Sequence, residues 1–393
     1  MKEKDRAWRE IDVAALHANF DALRRASHAP RVCAVLKANA YGHGAAHLAP
    51  LYEKWGAAAL AFATADEAME ARMAGVTLPI ILLGHTDPAH ALALAEAGIV
   101  PAVHSPASAQ ALSRAAQEAG VTLSVQIKVD TGMGRIGFVA REGEIARCAD
   151  EILSAAAHPN LRAVGLFTHF SSADEDGVGI DYTNKQLSRF LAVRERLAAQ
   201  GLALPAHAAN SPTTLAYPDA HLDMVRPGLA FYGIDPFGDA HPAAARAPLT
   251  PALSVKARVA QVKAVRAGDA IGYGRTYIAP RDMRVATLAI GYADGIARVQ
   301  ATSGGGVEAT PPQATNAPQK SPVFLPFVGR ISMDQCAVDA TAAPWLHEGD
   351  TVTVLGGRGP VSFAAAAARE GTIPYELLTR LSPRLPIFYE NED

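Results

Sequence analysis

The segment PIILLGHTDPAHALALAEAGIV, residues 79–100, contains one complete repeating unit of the fold. Its apolar run Pro79–Leu83 is typical of a strand buried on both faces, as in a parallel sheet. Asp87 followed by Pro88 predicts the start of a helix, with Asp87 as the N-cap, and Gly98 predicts its end. The segment therefore predicts a strand followed by a short helix.

The same unit recurs on both sides of this segment. Before it, Thr64 and Glu67 predict a capping box for a helix that ends near Gly75. After it, Ser105 predicts the N-cap of a helix that ends near Gly120. These stop glycines recur every 22 or 23 residues, which is the period of a βα unit with a short helix.

Strand candidates of this kind fill the first 240 residues. They lie near Arg31–Leu36, Ala58–Ala63, Pro79–Leu83, Ile99–Val103, Val121–Val129, Leu161–Thr168, Leu204–Ala208 and Leu222–Val225. Eight βα units predict a TIM-like (β/α)8 barrel, with its chemistry at the carboxyl ends of the strands. A doubly wound sheet is the competing arrangement, and the number of strands favours the barrel.

The pattern changes beyond about residue 245. Leu253, Val255, Ala257 and Val259 alternate with polar residues, which predicts a half-buried antiparallel strand, and a slip at Ala260 predicts a bulge. Further strands are predicted at Val285–Ile290, Val323–Val328, Gln335–Val338 and Thr351–Leu355. We therefore predict an α/β barrel over residues 12–243 and an all-β C-terminal domain over residues 244–393. Between the strands, Ala301–Pro322 is rich in Gly, Pro, Ser, Thr and Gln and predicts a mobile surface insertion.

Composition excludes several classes of protein. The 393 residues carry 36 basic and 39 acidic side chains, so a net charge of −3 argues against nucleic acid as a partner. No apolar run is long enough to span a membrane, and the N-terminal MKEKDRAWRE lacks a signal core, so we expect a cytoplasmic protein. The three cysteines, Cys33, Cys148 and Cys336, form no CxxC pair and predict neither a metal site nor a disulfide framework.

Lys37 lies in LKANAYGHG, residues 36–44, at the end of the first predicted strand. Most lysines are solvated surface groups, but a barrel buries this position at the mouth of its active site. A desolvated lysine has a lowered pKa and can attack carbonyls. Lys37 therefore predicts a Schiff base, either with a substrate carbonyl or with pyridoxal phosphate. Tyr41 follows in a glycine-rich turn, where its phenol could reach a phosphate.

LKANAYGHG closely resembles the pyridoxal-phosphate signature of the alanine racemases. Further segments resemble that family's sequence blocks and occur in its order: KVDTGMGRIGF, GLFTHFSSAD, ANSPTTL, MVRPGLAFYG, IGYGRTY, IGYADG, GRISMDQ and IPYELL. Together they span the chain from Ile11 to about Arg384. A single KAxAYG would be a weak match, whereas nine blocks in order are a specific one.

The resemblance implies a barrel followed by a β domain, with residues 1–11 packed on the β domain. It implies an enzyme that interconverts L-alanine and D-alanine, with Lys37 holding pyridoxal 5'-phosphate as an internal aldimine. Racemisation needs an acid/base group on each face of the substrate, and Tyr273 is implied as the second one. In the family this tyrosine enters from the partner subunit, which implies a homodimer with shared active sites. Taken alone, Tyr273 is more typical of a strand aromatic with its hydroxyl in water than of a catalytic base, although Gly272 and Gly274 leave room beside it.

The same resemblance implies the residues that bind the cofactor. Arg226 would face the pyridine nitrogen and leave it largely unprotonated, because guanidinium gives up its proton poorly. A weaker electron sink favours return of the proton over transamination. The phosphate would bind backbone N–H groups of Gly228 and Leu229 and the side chains of Ser211, Tyr41 and Tyr375. Taken by itself, Ser211 is more typical of a helix cap than of a phosphate ligand.

Other positions concern the substrate and the electrostatics of the site. Arg135 is implied to face the substrate carboxylate, and Lys128 resembles the lysine that some members carry as a carbamate. His169 is implied to lie near the ring and Tyr273, although a lone histidine is often a core residue. Tyr292 and Met333 would narrow the substrate entrance, with the backbone N–H of Met333 binding the carboxylate; both are also typical of a β-domain core.

Three readings compete. The first is an alanine racemase, either specific or of broad amino-acid specificity. The second is a pyridoxal-phosphate-dependent amino-acid decarboxylase, which Arg226 and Tyr273 speak against and Cys336 keeps open. The third is a single-barrel cofactor-binding protein without enzymatic activity, which would lack the predicted β domain. For a racemase, the sequence leaves open whether D-alanine is supplied for peptidoglycan or broken down.

Overall fold

The computed structural model describes residues 4–238, 246–312 and 321–392. The chain divides into two compact units. The barrel unit comprises His17–Phe231 and Asp235–Leu249. The β unit comprises Met1–Leu16, Tyr232–Ile234 and Thr250–Asp393. The domain boundaries 12–243 and 244–393 remain a prediction.

The strands follow one another along the whole chain. They are β1 Ala7–Asp12, β2 Cys33–Val35, β3 Ala59–Phe62, β4 Ile80–Leu82, β5 Ile99–Val100, β6 Ala102–Val103, β7 Leu123–Asp130, β8 Phe138–Val139, β9 Leu161–Phe167, β10 Ala206–His207, β11 Leu253–Val265, β12 Ala270–Ile271, β13 Tyr277–Ile278, β14 Met283–Leu288, β15 Gly306–Ala309, β16 Val323–Pro326, β17 Cys336–Asp339, β18 Thr351–Gly356 and β19 Ile387–Glu390.

Most of the helices belong to the barrel unit. In chain order they are α1 Val13–Ala26, α2 Lys37–Tyr41, α3 Ala45–Lys54, α4 Ala65–Met73, α5 Ala91–Glu96, α6 Pro106–Glu118, α7 Ile145–Ala156, α8 Val178–Ala199, α9 Ser211–Ala216, α10 Phe363–Glu370 and α11 Pro374–Arg380. None of the helices in the described ranges combines the length and the apolar character that crossing a bilayer requires.

The strands of the barrel unit are parallel and follow the order of the chain. One sheet runs β2-β3-β4-β5 and another runs β6-β7-β9-β10. The predicted strand Ile99–Val103 is divided into β5 and β6 at Pro101, because proline has no N–H to donate to a neighbouring strand.

The eighth predicted strand, Leu222–Val225, is reduced to a single parallel bridge between Val225 and Val32. Cys33 donates its N–H to the carbonyl of Val225 over 2.9 Å, and Asp223 donates to the carbonyl of Ala206 over 3.1 Å. This segment therefore joins the seventh strand to the first and closes the ring. The (β/α)8 prediction is confirmed, with a shorter final strand than the sequence indicates.

The predicted helix starts are confirmed by their hydrogen bonds. Thr64 and Glu67 form a capping box at the start of α4, and Ser105 caps α6. Asp87 caps a 3-10 turn, Pro88–His90, that leads into α5. The predicted stop glycines at positions 75, 98 and 120 all have positive φ.

The β unit is built around the long strand β11. It pairs antiparallel with β1, β14 and β18, and β1 pairs in parallel with β19. The register between β11 and β14 shifts between Val259 and Gln261, which confirms the predicted bulge at Ala260. This unit also contains α10 and α11, two helices that the strand prediction did not include.

The interpretation of 301–322 as a mobile insertion is wrong for part of its length. Strand β15 lies within it and pairs with β16 and β18. Val307 and Ala309 are both fully buried, so two inward-facing side chains fix this short strand despite the surrounding turn-forming residues. Residues 313–320 of the predicted insertion lie outside the described residues.

Candidate active site

Lys37 follows β2 at the carboxyl end of the first barrel strand and begins α2. This segment is not a regular helix, since Ala38, Asn39 and Ala40 each have φ of 53° and Tyr41 has φ of 52°. L-residues adopt this left-handed conformation at a cost of about 1–2 kcal/mol each. The turn is therefore strained, and the surrounding hydrogen bonds must hold it.

The charges around Lys37 are mostly positive. Burial lowers the pKa of Lys37, and the guanidinium of Arg135 lowers it further, whereas the carboxylate of Glu67 raises it. The net effect lowers the pKa of the Lys37 amine. A neutral amine is the form that attacks a carbonyl or accepts a proton.

Arg226 is buried just after the segment that closes the barrel, and it is held by three acceptors. Its Nη1 lies 2.6 Å from Nδ1 of His207, and its Nη2 donates to the carbonyls of Thr168 at 2.8 Å and Ala208 at 3.3 Å. Burial lowers the pKa of Arg226 to about 10, so the guanidinium remains charged at neutral pH. The side chain is thus fixed in orientation as a cation.

Lys128 on β7 is 4% exposed, and no carboxylate among the described residues lies within salt-bridge distance of it. Its Nζ donates to the carbonyl of Leu83 over 3.4 Å and lies 5.5 Å from the ring centre of Phe167. Burial, followed by the charges of Arg135 and Arg226, lowers its pKa to about 8. A large fraction of the Lys128 amine is therefore neutral at mildly alkaline pH.

His169 comes two residues after β9 and faces the same group of cations. Burial lowers its pKa well below the usual value, and the charges of Arg226, Arg135 and Lys37 lower it further. His169 is therefore neutral at physiological pH and can accept or donate one hydrogen bond at each nitrogen. Arg135 itself is exposed, which suits a group that meets a substrate arriving from solvent.

Three of the predicted phosphate-binding residues lie together in the barrel unit. Oγ of Ser211 accepts hydrogen bonds from the N–H groups of Gly228 at 2.9 Å and Ala230 at 3.2 Å. A Cβ atom at Gly228 would lie 2.5 Å from Oη of Tyr41, so any larger residue would displace this phenol. Leu229 begins a 3-10 turn, Leu229–Tyr232. The cap of α9 is Asn210 and not Ser211, which is the first residue of that helix.

Tyr273 lies in the β unit, in a short 3-10 turn between β12 and β13, and is 68% exposed. Its neighbours Gly272 and Gly274 have φ of 75° and 72°. A Cβ atom at either would lie 3.2 Å from an atom of Arg330. The backbone conformation therefore favours glycine at both positions, and a Cβ atom at either would crowd Arg330.

Tyr292, Met333 and Tyr375 also lie in the β unit. Tyr292 donates its N–H to the carbonyl of Ser332, and Ala293 donates to the carbonyl of Met333, each over 3.0 Å. Tyr292 is 42% exposed and Met333 is 53% exposed, so the alternative interpretation as β-domain core is wrong for both. Tyr375 is half-buried in α11.

The barrel unit thus brings Lys37, Lys128, Arg135, His169 and Arg226 within electrostatic range of one another. The sequence interpretation missed the buried polar residues below Arg226, which are His207 and Gln126. They are joined by a 3.2 Å contact between Nε2 of His207 and Oε1 of Gln126. The available signal was Gln126 between the apolar Val125 and Ile127 in β7, and His207 beside Ala206 in β10.

Comparison with known proteins accounts for both units. The family model of the alanine racemase N-terminal domain matches residues 11–236, and that of the C-terminal domain matches residues 252–389. The chain is 37% identical to an alanine racemase of Desulfosudis oleivorans, over 98% of this chain and 97% of that one.

Solved structures give the same result. An alanine racemase of Clostridium difficile superposes with a TM-score of 0.88 at 32% identity, covering 100% of this chain and 98% of that chain. The alanine racemase of Bartonella henselae, solved with covalently bound pyridoxal phosphate, gives a TM-score of 0.81 at 30% identity, covering 98% and 99%. The chain belongs to the alanine racemase family.

Proposed function

We propose that the chain interconverts L-alanine and D-alanine with pyridoxal 5'-phosphate attached to Lys37, and with Lys37 and Tyr273 as the two acid/base groups. The observation that carries this proposal is the environment of Lys37. Its amine lies at the carboxyl end of a barrel strand, with its pKa lowered by burial and by Arg135. A lysine in this state is suited to bond an aldehyde and then to exchange a proton.

The residues of the barrel unit fit this cofactor. The charge of Arg135 lowers the pKa of Lys37, and the charges of Arg135, Arg226 and Lys37 lower the pKa of Lys128. Buried cations are costly unless they are compensated by negative charge. An anionic phosphate and a substrate carboxylate would provide that charge. The close approach of Gly228 and Tyr41, with Ser211 against the N–H of Gly228, brings two hydroxyl groups and backbone N–H groups together at the usual place for a phosphate in a barrel.

In this mechanism the chain's residues bind, orient and move protons. When bound, pyridoxal phosphate supplies an electron-withdrawing ring that stabilises negative charge at the substrate Cα. Lys37 exchanges a proton with Cα on one face, and Tyr273 exchanges one on the other face. Arg226, held by His207, Thr168 and Ala208, would present a charged donor to the ring nitrogen and limit electron withdrawal, so that the proton returns to Cα.

We propose that the partner subunit's Tyr273 completes each site, so that the active form is a homodimer. The 68% exposure of Tyr273 supports this arrangement, because an acid/base group in a working site must be shielded from water. Tyr292 and Met333, which are also exposed in this unit, would narrow the substrate entrance. Tyr375 would add a phenol to the phosphate site.

We propose further that Arg135 binds the substrate carboxylate and that Lys128 carries a carbamate. A carbamate forms on a neutral amine, and a pKa of about 8 makes that form available. It would convert Lys128 from a cation that opposes Arg135 into an anion that pairs with it. His169, held neutral by its surroundings, would accept a hydrogen bond without adding positive charge.

A decarboxylase that used Cys336 as its proton donor is a poorer fit. Cys336 lies in β17 and is 4% exposed. Burial, together with the nearby carboxylate of Asp294, raises the pKa of its thiol. A single-barrel binding protein is excluded by the match of residues 252–389 to the C-terminal domain family.

The test is a racemisation assay with both alanine enantiomers, in parallel with serine and lysine, on protein supplied with pyridoxal phosphate. We expect interconversion of alanine and little or none of lysine. Borohydride reduction before proteolysis should leave the cofactor on the peptide that contains Lys37. Labelling of a different lysine, or activity on lysine that equals activity on alanine, would contradict the proposal.

We also propose a cytoplasmic location and a role in supplying D-alanine for peptidoglycan. A strain that lacks the gene should then require D-alanine for growth. If it instead fails only to grow on D-alanine as a nutrient, the role is catabolic.

A further inference from the structure

We propose that Glu67 is a positioning residue for Lys37, because its carboxylate ties the strained turn that begins at Ala38 to the start of helix α4. This inference rests on the proposed function of Lys37. Glu67 is more than a helix cap in this account, since it joins two consecutive βα units of the barrel at the point where the reactive lysine leaves its strand.

The contacts of Glu67 divide between its two oxygens. Oε1 accepts a hydrogen bond of 2.6 Å from the N–H of Ala38, the residue after Lys37. Oε2 accepts from the N–H groups of Ala63 at 3.0 Å and Thr64 at 3.4 Å, where α4 begins. The N–H of Glu67 in turn donates to Oγ1 of Thr64 over 3.3 Å. One side chain therefore spans from its own helix to the Lys37 turn.

The turn needs an anchor of this kind. Ala38, Asn39, Ala40 and Tyr41 are four consecutive L-residues in the left-handed region, where each carries a conformational cost. Its far end is held by Oδ1 of Asn39, which accepts from the N–H of Ala45 over 2.8 Å. Its near end, adjacent to Lys37, is held by Glu67. Without that bond the backbone after Lys37 can relax, and the direction of the amine changes with it.

Only a carboxylate can make all of these contacts. Both carboxylate oxygens of Glu67 accept hydrogen bonds from backbone N–H groups, so both terminal atoms of the side chain must be acceptors. Glutamine offers one acceptor and one donor. Its NH2 group would face an N–H either at Ala38 or at Ala63, and one of the two anchors would be lost.

Glu67 also contributes the negative charge in the surroundings of Lys37. The charged and titratable groups facing Lys37 are Lys128 on β7, Arg135 from the segment after β7, His169 from the segment after β9, and Glu67 from α4. Arg135 lowers the pKa of Lys37 and Glu67 raises it. Loss of the Glu67 charge therefore favours the neutral amine further, while loss of its hydrogen bond misdirects that amine.

The experiment measures attachment of pyridoxal phosphate to Lys37 in the full-length chain stripped of cofactor. Absorbance follows the rate of attachment across a pH series, and borohydride reduction with peptide mapping identifies the lysine. For Glu67→Gln we expect the midpoint of the pH–rate profile to move to lower pH. The rate on the high-pH plateau should fall by about tenfold, because the amine is misplaced.

Asp66→Asn is the matched control, since it removes the same charge from the adjacent, exposed position in the first turn of α4. We expect both its midpoint and its plateau to equal those of the wild type. Glu67→Asp keeps the charge but is one methylene shorter, so it should lower the plateau with a smaller shift of the midpoint. This second variant also provides a test if Glu67→Gln does not fold.

The outcomes separate the two proposals. If the wild-type chain takes up no cofactor on Lys37, the proposed function fails. If the wild type does so and the Glu67 variants keep its midpoint and plateau, the positioning role alone is overturned. A lower plateau in Glu67→Gln with an unchanged midpoint, or the same changes in Asp66→Asn, would also overturn it, because each would reduce Glu67 to a helix-stabilising residue.

Discussion

Nη1 of Arg226 donates a hydrogen bond to Nδ1 of His207 over 2.6 Å in the core of the barrel. Because guanidinium has donors and no acceptor, Nδ1 must accept and the proton of His207 must lie on Nε2. Nε2 in turn is 3.2 Å from Oε1 of Gln126, which can accept from it. The ring of His207 is also stacked on Phe167, with centroids 5.2 Å apart. One tautomer of His207 thus fixes the orientation of Arg226.

Replacing Arg226 changes the reaction that follows proton removal. Glutamate at this position would share a proton with the ring nitrogen and strengthen electron withdrawal. We expect Arg226→Glu to lose racemase activity by about a hundredfold or more and to form pyruvate by transamination. Arg226→Lys keeps the charge but not the planar donor fork. Its racemase activity should therefore lie between that of the wild type and that of Arg226→Glu. Full racemase activity of Arg226→Glu without pyruvate would show that Arg226 does not act on the cofactor.

Burial of neutral His207 makes the fold sensitive to acid. Burial, followed by the charge of Arg226, lowers the pKa of His207 well below its usual value in the folded chain. The unfolded chain, with a pKa near the usual value of about 6.5, therefore binds more protons as the pH falls below that point. The stability is present above about pH 6.5 and is lost as the pH falls, by up to about 1.4 kcal/mol per pH unit for this group.

Urea unfolding at pH 7 and at pH 5, at one protein concentration, measures this effect. His207→Gln should be less stable than the wild type at pH 7 and should lose less stability on going to pH 5. His90→Gln, which alters an exposed histidine, provides the control and should follow the wild type. An equal acid-side loss in His207→Gln and the wild type would mean that His207 is not held neutral.

Lys128 is expected to take up carbon dioxide. Its pKa of about 8 leaves a neutral amine available, and its neighbours Arg135 and Arg226 favour an anionic product. Protein equilibrated with 13C-labelled bicarbonate should show one carbamate carbon signal by NMR, and Lys128→Arg should lack it. If the wild type shows no such signal, Lys128 acts as an uncharged or cationic lysine, and Arg135 lacks this partner.

The features that the sequence predicts correctly are mostly those that depend on residues close together in the chain. The caps at Thr64, Ser105 and Asp87 and the bulge at Ala260 depend on neighbouring residues, and the structure confirms them. The segment KANAY, by contrast, has the composition of an ordinary helix, yet residues 38–41 are left-handed. That conformation depends on contacts made by residues distant in the chain, such as Glu67.

Strand β15 and the hydrogen bonds that link Gln126, His207 and Arg226 were not predicted, because they too depend on residues distant in the sequence. Val307 and Ala309 form a strand because β16 and β18 lie beside them, and nothing in the flanking turn-forming residues indicates it. His207 and Gln126 lie on separate strands, 81 residues apart. Their pairing follows from the sheet order β10-β9-β7 and from Gly165 on β9, where a larger residue would place its Cβ against the Gln126 amide.

Tyr273→Phe tests the assignment of one base to each face. It removes the acid/base hydroxyl while leaving the ring, in a turn whose conformation is set by Gly272 and Gly274. Because the equilibrium constant of racemisation is one, rates in the two directions cannot show which face is lost. Exchange of the α-proton with deuterated water can show it. The variant should still exchange the α-proton of D-alanine through Lys37, but its rate of racemisation should fall by about a hundredfold or more. Loss of exchange from both enantiomers together would contradict the assignment.

The most direct test of the shared two-base site mixes two inactive variants. Lys37→Ala and Tyr273→Phe, each nearly inactive alone, are combined under conditions that exchange subunits, and mass spectrometry verifies the exchange. In a heterodimer, one site receives both lesions, and the other receives wild-type Lys37 and the partner subunit's wild-type Tyr273. Half of randomly mixed dimers are heterodimers and half of their sites are intact, so activity should recover to about a quarter of wild type. If instead both residues served one site within the same chain, every site would carry one lesion and no activity would return. Absence of recovery after verified subunit exchange would therefore contradict the shared site.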